Sequence, residues 1–278
     1  MNRREFLQLS ASVSALSAGG ALPLLAADAK RPNRPKRRRP RKPAAFAGRP
    51  NIFTEPAAIE PVTGHLPKFK PARSGTMNKN FTATYHLVAS NGSAATSRNR
   101  ISGSLTVTFK DAVCTVKEVR ENRPAGIVDT KLHCTGDLNT AESWTLKSSV
   151  QGIADTKFTE TGAWDGKQMT VKANSWTQKR TTSHPLISQW ALLRLLASGK
   201  IKAKPLEFDM LDNSTLRPDQ TLRYCGKIDV PVAGGKAKLD CYAQTGYGIL
   251  PTHYLVDSAG RVQLITQETV NWALTKLT

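Results

Sequence analysis

The residues best suited to chemistry gather in one stretch, Gln244-Thr245-Gly246-Tyr247-Gly248-Ile249-Leu250-Pro251-Thr252-His253-Tyr254. Two glycines flank an aromatic, and a histidine then sits between a threonine and a tyrosine. On a functional reading, Tyr247 and Tyr254 form a ligand-contacting rim and His253 serves as polar handle or general base. Trp190, from an apolar segment considered below, joins them as a ligand contact. The competing reading is structural: a strand connection that needs glycine flexibility, with the tyrosines covering a sheet. No partner acid or nucleophile for His253 is fixed by spacing.

The remaining histidines, His65, His86, His133 and His184, are scattered singly. Asp209 and Asp212 straddle Met210-Leu211 beside Asn213. Paired carboxylates of this kind can ligate calcium or share acid–base work. The spacing lacks a calcium-loop pattern, so a solvated turn into Leu216-Arg217-Pro218 is expected instead. The chain contains no Gly-x-Ser-x-Gly elbow, no His-Glu-x-x-His, no phosphate-binding Gly-x-x-x-x-Gly-Lys and no dinucleotide fingerprint. No catalytic residue, metal ligand or cofactor is therefore assigned.

A second chemical signal is charge. The 278 residues carry 40 Lys+Arg against 21 Asp+Glu, a net of +19. The densest stretch is residues 30–43, which holds Lys30, Arg31, Arg34, Lys36, Arg37, Arg38, Arg39, Arg41 and Lys42, four prolines and no acid. Such a segment buries too little apolar surface to offset chain entropy, and its like charges repel. Proline pushes it toward extended states. Residues 30–75 as a whole read as a basic, Pro-rich disordered tether. Its cations suit anionic lipid, lipopolysaccharide or wall polymer, and a plain soluble spacer is the alternative. No aromatic interrupts 30–43, so base stacking has no platform there and nucleic acid is a poor partner.

Residues 1–29 have the layout of an export signal: a positive start, a mildly apolar stretch from Phe6 to Leu25, and a small-x-small site at Ala27-Asp28-Ala29. Arg3-Arg4-Glu5-Phe6-Leu7 closely resembles the bacterial twin-arginine export signal, in which paired arginines precede x-Phe-Leu. Asn2 and Gln8 depart from its commonest flanks, and a general secretory signal is the competing reading. The resemblance rests on Arg3, Arg4, Phe6 and Leu7. It implies the twin-arginine machinery as a partner and a folded, periplasmic or secreted protein. No uninterrupted apolar run approaches the ~20 residues of a spanning helix, which excludes an integral helical membrane protein.

The four cysteines, Cys114, Cys134, Cys225 and Cys241, are an even count without metal-like spacing. In an oxidising compartment three pairings are open, and hairpin geometry favours one. The midpoint of Cys225 and Cys241 falls within Val232-Ala233-Gly234-Gly235, where a three-residue loop at 232–234 would place the two opposite each other. Cys114 and Cys134 centre on Pro124 in another turn-rich loop. Two cross-strand disulfides, Cys114–Cys134 and Cys225–Cys241, are expected; four buried free thiols are the alternative.

These groups must be positioned by strands. Short alternating segments recur at 81–88, 101–109, 113–119, 127–134, 143–150, 157–164 and 168–176, then at 206–211, 221–230, 237–243, 252–256 and 261–266. In Leu105-Thr106-Val107-Thr108-Phe109 one face is apolar and the other carries threonine, as a sheet with one buried side requires. One segment breaks the period. Residues 185–198 begin with Pro185, are followed by Gly199, and place Leu186, Ile187, Trp190, Leu193, Leu196 and Ala197 at helical spacing. The expected fold is mainly β: one curved antiparallel sheet of about twelve strands, half-barrel-like, packed around a single helix near 185–198, in a domain spanning 76–278. The lone helix and the final hairpin, from His253 to Val262, give this part a resemblance to lipoprotein-localisation-factor-like folds. That resemblance implies an apolar concavity between sheet and helix; it transfers no ligand.

Two functions follow as expectations. One is a non-enzymatic envelope protein that binds an apolar or amphiphilic ligand, or a protein partner, while the tether holds it near an anionic surface. The other is a secreted small-molecule hydrolase using His253 and nearby carboxylates. Export is checked first by replacing Arg3 and Arg4 together with lysine. Precursor should then accumulate in the cytoplasm, and unchanged export of that variant would refute twin-arginine routing.

Overall fold

Alternation along the chain dictates the architecture. In β2 (Ile101–Lys110), Gly103, Leu105, Val107 and Phe109 are buried, while Ser104, Thr106 and Thr108 between them are partly exposed. Period-two burial of this kind puts one face of the sheet inward. The computed structural model describes residues 55–90, 99–121 and 124–278. Within them β1 (Phe81–Ala89), β2, β3 (Val113–Arg120), β4 (Gly126–Thr135) and β5 (Thr140–Val150) run as antiparallel neighbours. They are followed by β6 (Ile153–Trp164), β7 (Gln168–Ala173), β8 (Trp176–Thr181) and the three-residue β9 (Leu186–Ser188). The chain returns through β10 (Leu206–Asp212), β11 (Thr215–Val232), β12 (Gly235–Gly246), β13 (Thr252–Val256), β14 (Val262–Thr266) and β15 (Val270–Leu277).

The expected mainly-β class holds, and the curl goes to completion. β15 pairs with β1, β4 with β5, and β9 bridges β5 to β10, so twelve strands close a barrel. The remaining three, β6 to β8, continue outward from β5 as successive hairpins. β9 is the seam: parallel to β10 over three residues, it meets β5 only where Thr140 faces Ile187. The sequence missed β8, β9 and β15; the strand expected at 168–176 covers β7 and stops at the first residue of β8.

The helix is shorter than the spacing suggests. Only α2 (Leu192–Ala197) is helical, because Pro185 to Ser188 is taken into the barrel wall. Asp209 fixes that diversion. Its buried carboxylate accepts backbone N–H groups from Ser183 (2.7 Å), His184 (3.2 Å) and Asp219 (2.9 Å). Tertiary pairing here outweighs local helix spacing. In α2, Leu192, Leu193, Leu195 and Leu196 are all buried, as befits a helix apolar on nearly every side. Its one cation, Arg194, donates to the Asp111 carbonyl at 2.7 Å and lies 5.3 Å from the Phe109 ring centre. On the way in, Trp190 meets Trp272 of β15 edge-to-face at 5.7 Å. Ala197 presses against Gly260, where a Cβ would come within 2.7 Å of its carbonyl oxygen. The segment thus reaches several strands of the ring from within.

The outer face of β11 to β15 carries a second apolar cluster, including Ile228, Val230, Leu239, Leu255 and Leu264. It is covered by residues read from sequence as part of the tether. The helix α1 (Glu55–Ile59) and the 3-10 turns Glu60–Val62 and Leu66–Lys68 lay Ala58, Val62, Leu66 and Phe69 onto it, each at most 3% exposed. Hydrogen bonds fix this strap: Thr266 Oγ1 donates to the Ala58 carbonyl at 2.6 Å, and the Ala233 N–H to the Phe69 carbonyl at 2.9 Å. The Gln263 side chain brackets both backbone groups of Ala72. The folded body therefore begins well before residue 76. The export-signal residues Arg3, Arg4, Phe6 and Leu7 and the basic run at 30–43 lie outside the described residues.

All four cysteines are free thiols, so neither expected hairpin disulfide is present. For Cys114 and Cys134 the register explains it. Cys114 faces Leu132, which leaves Cys134 as a diagonal neighbour on the same inward face. Diagonal pairs lie about 7–8 Å apart, beyond comfortable disulfide reach. Between Cys225 and Cys241 the turn is Ala233-Gly234, two residues rather than three, and a bulge at Cys225 compensates.

The strap has a measurable consequence. Leu66→Ala should destabilise the protein by about 2–5 kcal/mol in urea unfolding, as core truncations do. A deletion of residues 30–43 should leave the unfolding midpoint in place.

Candidate functional site

Where the plug segment leaves the barrel, it parts from the wall. Gly199 turns the chain with φ +69° after α2, a conformation that favours glycine. The 3-10 turn Lys200–Lys202 then runs beside β11 before Pro205 leads into β10. Between them lies a cleft of about 290 Å³ lined by Ile201, Lys202, Pro205, Arg223, Tyr224 and Cys225.

Behind Lys202 and Tyr224 sits Asp240, only 6% exposed on β12. Lys202 Nζ donates to Asp240 Oδ2 at 2.6 Å, and the Tyr224 hydroxyl donates to Oδ1 at 2.9 Å. The ammonium also lies 5.4 Å from the centre of the Tyr224 ring. Tyr224 in turn packs on Tyr242 with ring centres 5.3 Å apart. Burial, and then the hydrogen bond to the Asp240 carboxylate, raise the Tyr224 phenol above its ordinary pKa, so it acts as a donor and not as a base. Arg223 is the second cationic residue of the lining. The lining sets cationic side chains beside apolar ones and presents no convergent acid and base.

The residues singled out from sequence do not meet in one place. Tyr247 stands on the β12–β13 loop, 74% exposed. Tyr254 points into the barrel, where its hydroxyl donates to Gln244 Oε1 at 2.8 Å and Gln244 Nε2 donates to Gln220 Oε1 at 3.1 Å. Burial raises its pKa far above normal. His253, one residue before, shares the outer face of Leu255 and lies opposite Thr266, the residue that anchors the strap. Period two thus sends His253 and Tyr254 to opposite sides of the wall. Trp190 is buried in the plug. Asp209 serves the backbone, as described, and Asp212 is ion-paired with Arg217 at 3.1 Å across a turn, so the two carboxylates share no site. No cluster of His, Cys, Asp and Glu among the described residues has the makings of a metal site.

Sequence reading missed Lys202, Arg223, Tyr224 and Asp240. One signal was available: Leu239-Asp240-Cys241-Tyr242 is apolar on both faces, which leaves its acid stranded unless a cation is brought to it.

No protein-family model matches this chain, and no curated protein matches it. Among solved structures, one similar chain is a crystal structure described as a beta-barrel-like protein of Domain of Unknown Function DUF1849 from Brucella abortus. The two are 12% identical with a TM-score of 0.47, over 72% of this chain and 97% of that one. No residue role transfers at that level. Among the described residues no helix is long and apolar enough to cross a membrane.

The buried thiols give the fold a pH signature. Burial pushes Cys134 and Cys241 from an ordinary 9.0 up to about 12. Their folded pKa values exceed the unfolded ones, so the stability they contribute is complete below about 9 and is lost as pH rises toward 12. Each contributes at most about 1.4 kcal/mol per pH unit in that window. The thermal midpoint should hold steady at neutral pH and fall above pH 9, and Cys134→Ala should flatten that alkaline slope.

Proposed function

We propose that this protein is exported to the cell envelope and binds a small anionic amphiphile in the cleft between plug and wall, without catalysis. The cleft carries the reading: a tyrosine floor and Ile201 suit an apolar portion, while Lys202 and Arg223 suit an anionic head. At about 290 Å³ it falls at the small end of ligand pockets, which suits one chain or ring with its head group rather than a bulky lipid. The basic run at 30–43 would hold the barrel near anionic lipid, lipopolysaccharide or wall polymer by an attraction that salt screens.

The hydrolase reading requires His253 and a carboxylate in one concavity. His253 instead sits on the outer face of the strap-covered wall, and Asp209 is engaged by three backbone N–H groups.

Titration of the full chain with a fluorescent medium-chain fatty acid tests the binding reading. Saturable binding is expected, weakened about tenfold, or about 1.4 kcal/mol, by Arg223→Gln. Tyr247→Ala, outside the cleft, should leave it unchanged. Absence of binding, or equal binding by the wild type and Arg223→Gln, would overturn the proposal.

A further inference from the structure

The two cysteine pairs differ in the features that govern thiol exchange, which are access and separation. Cys114 and Cys134 are sealed in the barrel, 0% and 3% exposed, and stand diagonally, two residues out of register. Cys225 is half-buried and lines the cleft. Tyr224 pairs with Tyr242 and Gly226 with Cys241, so Cys225 is the extra residue of a bulge and shares the opposition to Cys241 with Gly226. Cys241 is 1% exposed in the outer cluster, and Cys225 packs against that cluster. Directly opposed strand residues have Cα atoms about 4.5–5.5 Å apart, inside disulfide range. One thiol is therefore open to a cleft while its partner waits behind it within bonding reach.

We propose that Cys225 and Cys241 form a thiol–disulfide exchange site for anionic low-molecular-weight disulfides, brought to Cys225 by the cations of the cleft. Cys225 gives its proton to solvent and its sulfur attacks one sulfur of the incoming disulfide. The external S–S bond breaks, one half leaves and takes up a proton, and a mixed disulfide remains on Cys225. Cys241 then loses its proton and attacks Cys225 Sγ, expelling the second half as a thiol. Two protein thiols become one disulfide, and one external disulfide becomes two thiols, a balanced two-electron exchange. Cys241 is 1% exposed whereas Cys225 is half-buried and lines the cleft, so the first attack falls to Cys225. The positive charge of Lys202 and Arg223 selects carboxylate-bearing disulfides over neutral ones of similar size. The proposal requires no amphiphile in the cleft and stands apart from that reading.

The test uses reduced full-length protein with oxidised glutathione as the anionic probe and hydroxyethyl disulfide as the neutral one, followed by peptide mapping. The wild type should lose two hydrogens and yield a Cys225–Cys241 cross-link, with Cys114 and Cys134 unmodified until the protein is unfolded. Cys241→Ser should accumulate a glutathione adduct on Cys225. Arg223→Gln should slow the reaction with oxidised glutathione about threefold or more while sparing the neutral probe. Should Cys241→Ser fold poorly, iodoacetamide on the wild type provides an independent readout, expected to show one fast thiol that maps to Cys225. A wild type that stops at the mixed disulfide would overturn the proposal. So would Cys225 reacting no faster than Cys114 or Cys134, or Arg223→Gln affecting both probes alike.

Discussion

A ring of twelve strands is wider than its own side chains can fill, and the rest of the structure answers to that fact. Eight strands leave an interior that side chains just occupy, and diameter grows with strand number. Here the excess width is taken by a piece of the chain itself, from Trp190 through Leu196. The plug must be apolar on almost every side, which its leucines satisfy, and its one cation must find an acceptor, which Arg194 does at the Asp111 carbonyl. Gly260 has to lack a side chain because the plug passes where a Cβ would sit.

A plug threaded from the wall must also leave again, and the exit creates the cleft. Lys202 latches the departing turn to Asp240, with Tyr224 as the second donor. That carboxylate is buried while Lys202 stays partly exposed, so removal of either donor would leave part of its charge without a hydrogen bond. The latch closes one side of the cleft and leaves the other open toward Arg223 and Cys225. Binding capacity at this point is a by-product of how the barrel is filled.

The β character, the count of about twelve strands and the presence of an interior helix were legible because each rests on local periodicity. Leu105, Val107 and Phe109 announce their face without help from the rest of the chain. What could not be read is what long-range pairing decides. Leu186 and Ile187 have helical spacing with Trp190, yet the gap between β5 and β10 claims them as strand. The strap was hidden by composition: proline and charge dominate residues 30–75, although Ala58, Val62, Leu66 and Phe69 recur every three or four residues and mark one face. At the site, His253 and Tyr254 suggested a shared pocket by adjacency, and period two should have warned that neighbours on a strand face opposite ways.

The long strand β11 shows how irregularity in register, invisible in composition, builds the site. It runs eighteen residues and cannot stay straight around a plugged barrel. On its β10 edge, the pairing jumps from Phe208–Gln220 to Met210–Arg217, so that Pro218 and Asp219 oppose Asp209 alone. Pro218 has no N–H to leave unpaired there, and Asp219, at φ +53°, delivers its own N–H to the Asp209 carboxylate. On the β12 edge the extra residue is Cys225. Bulges bend a strand and increase its twist, and β11 carries one on each edge. The second has a further effect. By absorbing one residue at Cys225, it keeps Tyr224 turned inward toward Asp240 while the thiol next to it packs with the outer cluster that holds Cys241. A register shift of one residue is thus the feature that sets a thiol into a cleft lined by two cations.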